Sequence, residues 1–115
     1  MNREEIIEGN KLISEFMGLR SFEDDRYGKM WTNPVDKGSC FTLQYHSSWD
    51  WLMPVVEKLE SLGYGFTVDP WGMEVIEYLS GEEELIIKIQ KDEETKLEQY
   101  YYCVLETIKW YNSNK

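Results

Sequence analysis

The stretch from Tyr64 to Gln90 constrains the fold most, because it holds three short apolar runs separated by turns too brief for a helix. Tyr64 to Val68 ends at Asp69-Pro-Trp-Gly72, a turn. Met73 to Leu79 alternates, with Met73, Val75 and Glu77 on one side and Glu74, Ile76 and Tyr78 on the other. Ser80-Gly81-Glu82 turns the chain again. Leu85 to Gln90 is the third run, with Ile86 opposed to Ile87 and Ile89. Parallel strands need a long crossover, and these turns are too short for one. The segment therefore predicts a three-stranded antiparallel meander.

Helical periodicity flanks the meander. Residues Glu4 to Met17 carry Ile6, Ile13 and Met17 on one side, widened by Leu12 and Phe16. Asn2 with Glu5 reads as a capping box, and Gly18 as a left-handed stop. A second helix is expected from Ser48 to Leu62, ending at Gly63, with Ser47 as its cap and Asp50 in the first turn. Its apolar face is Leu52, Val55, Val56, Leu59 and Leu62. Trp49 is expected beside that face, with Trp51 and Met53 toward its rims. Pro54 falls in the second turn, where it demands a bend or an irregular start near Asp50. The last helix is expected from Glu93 to Asn112. Leu97, Tyr101, Val104, Leu105, Ile108 and Tyr111 share one face, and Tyr102, Cys103 and Trp110 lie off it. The first helix, docked within the chain, is the favoured cover for these three; a second copy is the alternative.

Residues 19–44 are read less uniquely. Ser21 to Asp25 is an acidic loop, Arg26 to Thr32 a strand, Asn33 to Gly38 a turn and Ser39 to Leu43 a second strand. An irregular excursion fits as the alternative. The whole is one α+β domain, 1–115, with an N-terminal helix (1–18), a loop or hairpin (19–44, the extra hairpin at 26–43) and a helix–meander–helix core (45–115).

Charge narrows the partners. Of 115 residues, 22 are acidic and 12 basic, a formal net charge of −10. Such a surface repels phosphate backbones and anionic membranes, so neither direct nucleic-acid binding nor membrane binding is expected. No leader peptide and no membrane span are read, and Cys40 and Cys103 are taken as free thiols of a cytoplasmic protein.

The residues able to carry chemistry do not assemble a motif. His46 is the sole histidine, four residues before Asp50 and beside Ser47 and Ser48. Neighbours so close at a helix entry point in different directions, so no triad is expected. One histidine and two distant cysteines make no zinc spacing, and the glycine patterns that cradle phosphates are absent. Catalytic, cofactor-binding and metal-binding residues are therefore read as none. Two surfaces remain as candidates. An aromatic one comprises His46, Trp49, Trp51, Trp71, Tyr102 and Trp110, suited to a ligand or partner. An acidic one comprises Glu23, Asp24, Asp25, Glu82, Glu83, Glu84, Asp92, Glu93 and Glu94, suited to mimicking a phosphate backbone.

The phrase Tyr45-His-Ser-Ser-Trp-Asp-Trp-Leu-Met-Pro-Val-Val-Glu-Lys-Leu-Glu60, a Gly-ended helix, a short meander and the ending Ile108-Lys-Trp-Tyr-Asn112 resemble the phage ABA sandwich domain family. These are small proteins of tailed phages and prophages. The leader Asn10-Lys-Leu-Ile-Ser-Glu-Phe-Met-Gly18 is similar to that of relatives from gut Bacteroidetes and their phages. The likeness covers about three quarters of the chain and leaves out 19–44. It implies an antiparallel sheet with helices on both faces, and it implies no reaction. The expectation is a small, non-enzymatic phage or prophage accessory protein that binds a protein, in the host cell cytoplasm if phage-encoded, and monomeric in preference to dimeric. One alternative is an acidic inhibitor of a host nuclease or DNA-binding defence protein. Another is a small-metabolite binder or enzyme using the Trp/Tyr-rich surface.

Overall fold

The computed structural model describes residues 2–26, 28–32, 39–40, 42–69, 72–78, 84–90 and 95–114. The expected turns at 33–38 and 80–82, positions 70–71 of the turn expected at 69–72, and the expected start of the last helix at 93 lie outside them, as do Trp71, Glu82, Glu83, Asp92, Glu93 and Glu94.

Helix α1 spans Arg3–Met17. Asn2 accepts the Glu5 N–H at 2.9 Å and returns its own amide N–H to the Glu5 carboxylate at 2.9 Å. At the far end Gly18 adopts φ 68°, ψ 30°. The N–H groups of Gly18 and Leu19 then close on the Glu15 and Ser14 carbonyls, a Schellman termination.

Strands β1 (Ser21–Asp24), β2 (Gly28–Thr32) and β3 (Ser39–Cys40) form a small antiparallel sheet with β2 central. The segment expected as an acidic loop is thus mostly strand. Its turn is built by Asp24, whose Oδ1 accepts the Arg26 N–H at 2.7 Å, and by Gly28 at φ 77°, which pairs with Asp24. The expected pairing of 26–32 with 39–43 survives as a short contact, Trp31 opposite Cys40 and Thr32 opposite Ser39.

Helix α2 spans Trp49–Ser61, with Ser48 at the N-cap position and no side-chain cap bond. Ser47 is therefore not the cap. Its N–H and that of Ser48 both bond the Gln44 carbonyl, which draws Ser47 into the preceding turn. Pro54 stays inside the helix. Both it and Asp50, to whose carbonyl it has no N–H to donate, are solvent-exposed, so the break falls on the outer side.

The meander is as expected: β4 (Tyr64–Asp69), β5 (Gly72–Glu77) and β6 (Glu84–Gln90), antiparallel and in chain order. Val75 pairs with Ile87 but Ile76 with Leu85, which leaves Ile86 as the extra residue of a β-bulge. Ile86 was expected opposite Ile87; the bulge lets both pack against the core and sends Leu85 outward, 52% exposed.

Helix α3 spans Lys96–Asn114, beginning later than the expected Glu93. Thr95 explains the start: its hydroxyl accepts the Glu98 N–H and donates to the Glu98 carboxylate, a capping interaction spelled Thr95-Lys-Leu-Glu98.

The class is α+β, with α2 and α3 on one face of the β4–β6 sheet. Tyr64, Phe66, Val68, Met73 and Val75 share that inner face by register and join a core cluster with Leu52, Val55, Leu59, Val104 and Ile108. Helix α1 stacks on the helices, adding Ile13. The resemblance implied helices on both faces. Among the described residues the opposite face carries Thr67, Tyr78, Leu85 and Lys88, all exposed. The order of layers is sheet, then α2 with α3, then α1.

Candidate functional site

Asn10 is the hub of the best-organised polar group in the described structure. It lies on α1, only 5% exposed, and no apolar pattern singles it out. Its amide nitrogen donates to the Leu43 carbonyl at 3.0 Å and meets His46 Nδ1 at 3.0 Å. Its Oδ1 accepts from the Tyr101 hydroxyl of α3 at 2.9 Å, and that hydroxyl also faces the Ile6 carbonyl at 3.1 Å. These partners fix the amide: the Leu43 carbonyl can only accept, so the NH₂ must face it. The second N–H of that NH₂ then makes His46 Nδ1 an acceptor. The imidazole is therefore neutral, with its proton on Nε2. Desolvation pushes the His46 pKa below its ordinary value, and burial raises that of Tyr101.

Gly9 makes the group possible. A Cβ at this position would stand 2.5 Å from the Tyr101 hydroxyl and 2.8 Å from Leu105 Cδ1. An isolated glycine in a helical pattern was the one available signal. Chemically, the network ties α1, the 43–46 segment and α3 together. Nδ1 of His46 is engaged by the Asn10 amide.

The aromatic candidates separate. Trp51, expected at a rim, is 4% exposed and sets its ring edge-on to Tyr45, with centroids 5.1 Å apart. Trp49, expected beside the core face, is 40% exposed and rests on Tyr100, which stacks in turn on Phe66. The two tryptophans exchange places: Trp51 joins the buried face of Leu52, Val55, Val56 and Leu59, and Trp49 lies in the exposed first turn. Trp110 donates its indole N–H to the Glu77 carboxylate of β5 at 2.6 Å. Cys103 is fully buried, outside any disulfide. These two residues thus turn toward the sheet, while α1 packs on Tyr101 and Leu105. The expectation that α1 would cover Cys103 and Trp110 is corrected: α3 lies between sheet and α1 and buries opposite sides against each. Tyr102 alone of the three stays exposed.

Of the acidic candidates, Glu23 and Asp25 are exposed and Asp24 half-buried at the β1–β2 hairpin, and Glu84 is exposed at the start of β6. They belong to two different sheets. Among the described residues no three His, Cys, Asp or Glu side chains converge as metal ligands, and no helix is long and apolar enough to cross a membrane.

Two surface features were not legible beforehand. One is the outer sheet face. Gly65, Ile76 and Leu85 form a row across all three strands, and the Tyr78 ring lies over Gly65, where a Cβ would be 2.7 Å from Tyr78 Cε2. The next row, Thr67, Glu74 and Lys88, is polar and holds a Glu74–Lys88 ion pair at 3.8 Å. The other is a 460 Å³ cleft between the C-terminal halves of α1, α2 and α3. In it Lys58 donates to the Phe16 carbonyl at 2.6 Å and lies 4.3 Å from the Phe16 ring centroid.

No family model, curated protein or solved structure matches the chain.

Proposed function

We propose that the protein is a small phage or prophage accessory protein that acts by binding another protein, through the outer face of the β4–β6 sheet. The observation that carries the binding reading is the row of Tyr78, Ile76 and Leu85 on that face, with Tyr78 at 45% and Leu85 at 52% exposure. An antiparallel sheet commonly shows one face to water, but that face then alternates toward polar residues. Here an aromatic ring and two branched aliphatics adjoin in one row beside a polar one, the apolar-centre, polar-rim arrangement of a protein interface. The phage setting and a host-cytoplasmic location rest on the family resemblance of Tyr45 to Glu60.

The experiment is affinity capture from bacterial lysate with the unmodified protein, an outer-face double variant Ile76→Glu/Leu85→Glu, and a charge-reversal variant Glu23→Lys/Asp25→Lys/Glu84→Lys. A protein retained by the first and third and lost by the second is the expected result. Loss with the third variant and with rising salt, but not with the second, would replace this reading by acidic mimicry, because exposed charges are screened.

A further inference from the structure

We propose that the cleft between the helix C-termini binds a free amino acid with an apolar, ring-bearing side chain, recognised as a zwitterion. This site is separate from the sheet face. Its volume, 460 Å³, is in the range of cavities that hold one small ligand. Leu12 and Phe16 of α1, Leu62 just after α2 and Tyr111 of α3 supply the apolar lining, and each also packs against the main core. The Phe16 and Tyr111 rings meet edge-on, with centroids 6.0 Å apart at 84°.

Two charges line the same cleft, Glu15 from α1 and Lys58 from α2. They do not form an ion pair with each other; the pairs among the described residues are Glu74–Lys88 and Glu106–Lys109. Lys58 is held in place. One of its three N–H donors goes to the Phe16 carbonyl, and its ammonium sits over the Phe16 ring. Two donors remain for a carboxylate. The ends of three helices supply the negative side of their dipoles here, and with Glu15 they favour an ammonium group. A polyanion such as a phosphate ester fits poorly, since a single lysine faces a carboxylate and three helix C-termini. A simple cation would meet Lys58. A molecule carrying one carboxylate and one ammonium around an apolar body answers Lys58, Glu15 and the apolar lining together.

The test uses the full chain, labelled with ¹⁵N, titrated with L-phenylalanine, with N-acetyl-L-phenylalanine (no ammonium) and with L-phenylalaninamide (no carboxylate). Saturable shifts confined to the amides around Phe16, Lys58, Leu62 and Tyr111 are expected with free phenylalanine, and binding about tenfold or more weaker with each blocked form. Lys58→Met, which keeps the stem over Phe16 and removes the charge, should weaken free phenylalanine about tenfold and leave the amide form unchanged. Either blocked form binding as tightly as the free amino acid overturns the proposal, as does the absence of saturable shifts up to the solubility limit. The blocked ligands act on the unmodified protein, so the test holds even if Lys58→Met unfolds.

Discussion

The inner and outer faces of the β4–β6 sheet are made by the same strands in the same register, and they meet different surroundings. On the inner face Val75 and Met73 are 0% and 1% exposed; on the outer face Tyr78 and Leu85 keep about half their surface in water, at 45% and 52%. Strand alternation sorts residues between two faces but does not say which face is covered. Coverage is decided by α2 and α3, whose buried stripes can be satisfied only on the side that carries Tyr64, Phe66 and Val75. The outer face is then left to local devices: a ring laid over Gly65, a Glu74–Lys88 pair and a bulge at Ile86.

The largest test of this contrast between covered and uncovered residues lies in α2. Trp51→Ala should cost about 3–5 kcal/mol in denaturant unfolding, the range for a buried large ring, and Trp49→Ala about 1 kcal/mol or less. Equal losses would break the contrast at its strongest point. On the helix side, Gly9→Ala should cost about 1–3 kcal/mol, because the methyl group meets the Tyr101 hydroxyl and Leu105 at once. A smaller loss would mean that the contact of α1 with α3 gives way more easily than core packing does. Among caps, Thr95→Ala should cost about 0.5–2 kcal/mol and Ser47→Ala under about 0.5 kcal/mol, since only Thr95 bonds a free helix N–H.

His46 gives a pH-dependent version of the same comparison. Its folded pKa lies below the ordinary 6.5, so the unfolded chain takes up the proton first. Its contribution to stability is full above pH 6.5 and is lost as pH falls through the folded value. Unfolding midpoints between about pH 7.5 and 5.5 should therefore decline toward acid, and a His46→Gln variant should show a flatter profile across that interval. Identical slopes would mean that the Asn10 network does not discriminate the protonated ring. The smallest effect is expected on the outer face, where Leu85→Ser should change stability by no more than about 0.5 kcal/mol. A clear loss there would show that the face is covered in solution.

Much of this was legible where local chemistry decides. The Asn2/Glu5 cap, the Gly18 stop and the three strands are all found in place, because each rests on contacts within a few residues. Thr95-Lys-Leu-Glu98 was equally local and readable, but the acidic run before it drew the expected helix start to Glu93. The candidate site was harder to read. Asn10 and Gly9 interrupt the apolar stripe of α1, so a search for periodicity passes over them, yet Asn10 bonds the Tyr101 hydroxyl of α3 and Gly9 leaves the space that hydroxyl needs. The cleft and the outer-face row join residues from three elements each, and no spacing within one element reveals them.

By itself the sequence determined the class, the order of the three helices and the meander, the antiparallel strand pairing and the capped ends of α1, all consequences of backbone hydrogen bonding and side-chain period over short distances. Tertiary structure decided the rest. It set which tryptophan of the Trp49-Asp-Trp51 pair is buried and which sheet face is left open. It also turned Cys103 and Trp110 toward the sheet and assembled a hydrogen-bond hub around Asn10. The physical reason is that burial belongs to a surface only once a second surface meets it. The partner surfaces here, α1 on α3 and α2 with α3 on one side of the sheet, come from segments far apart in the chain.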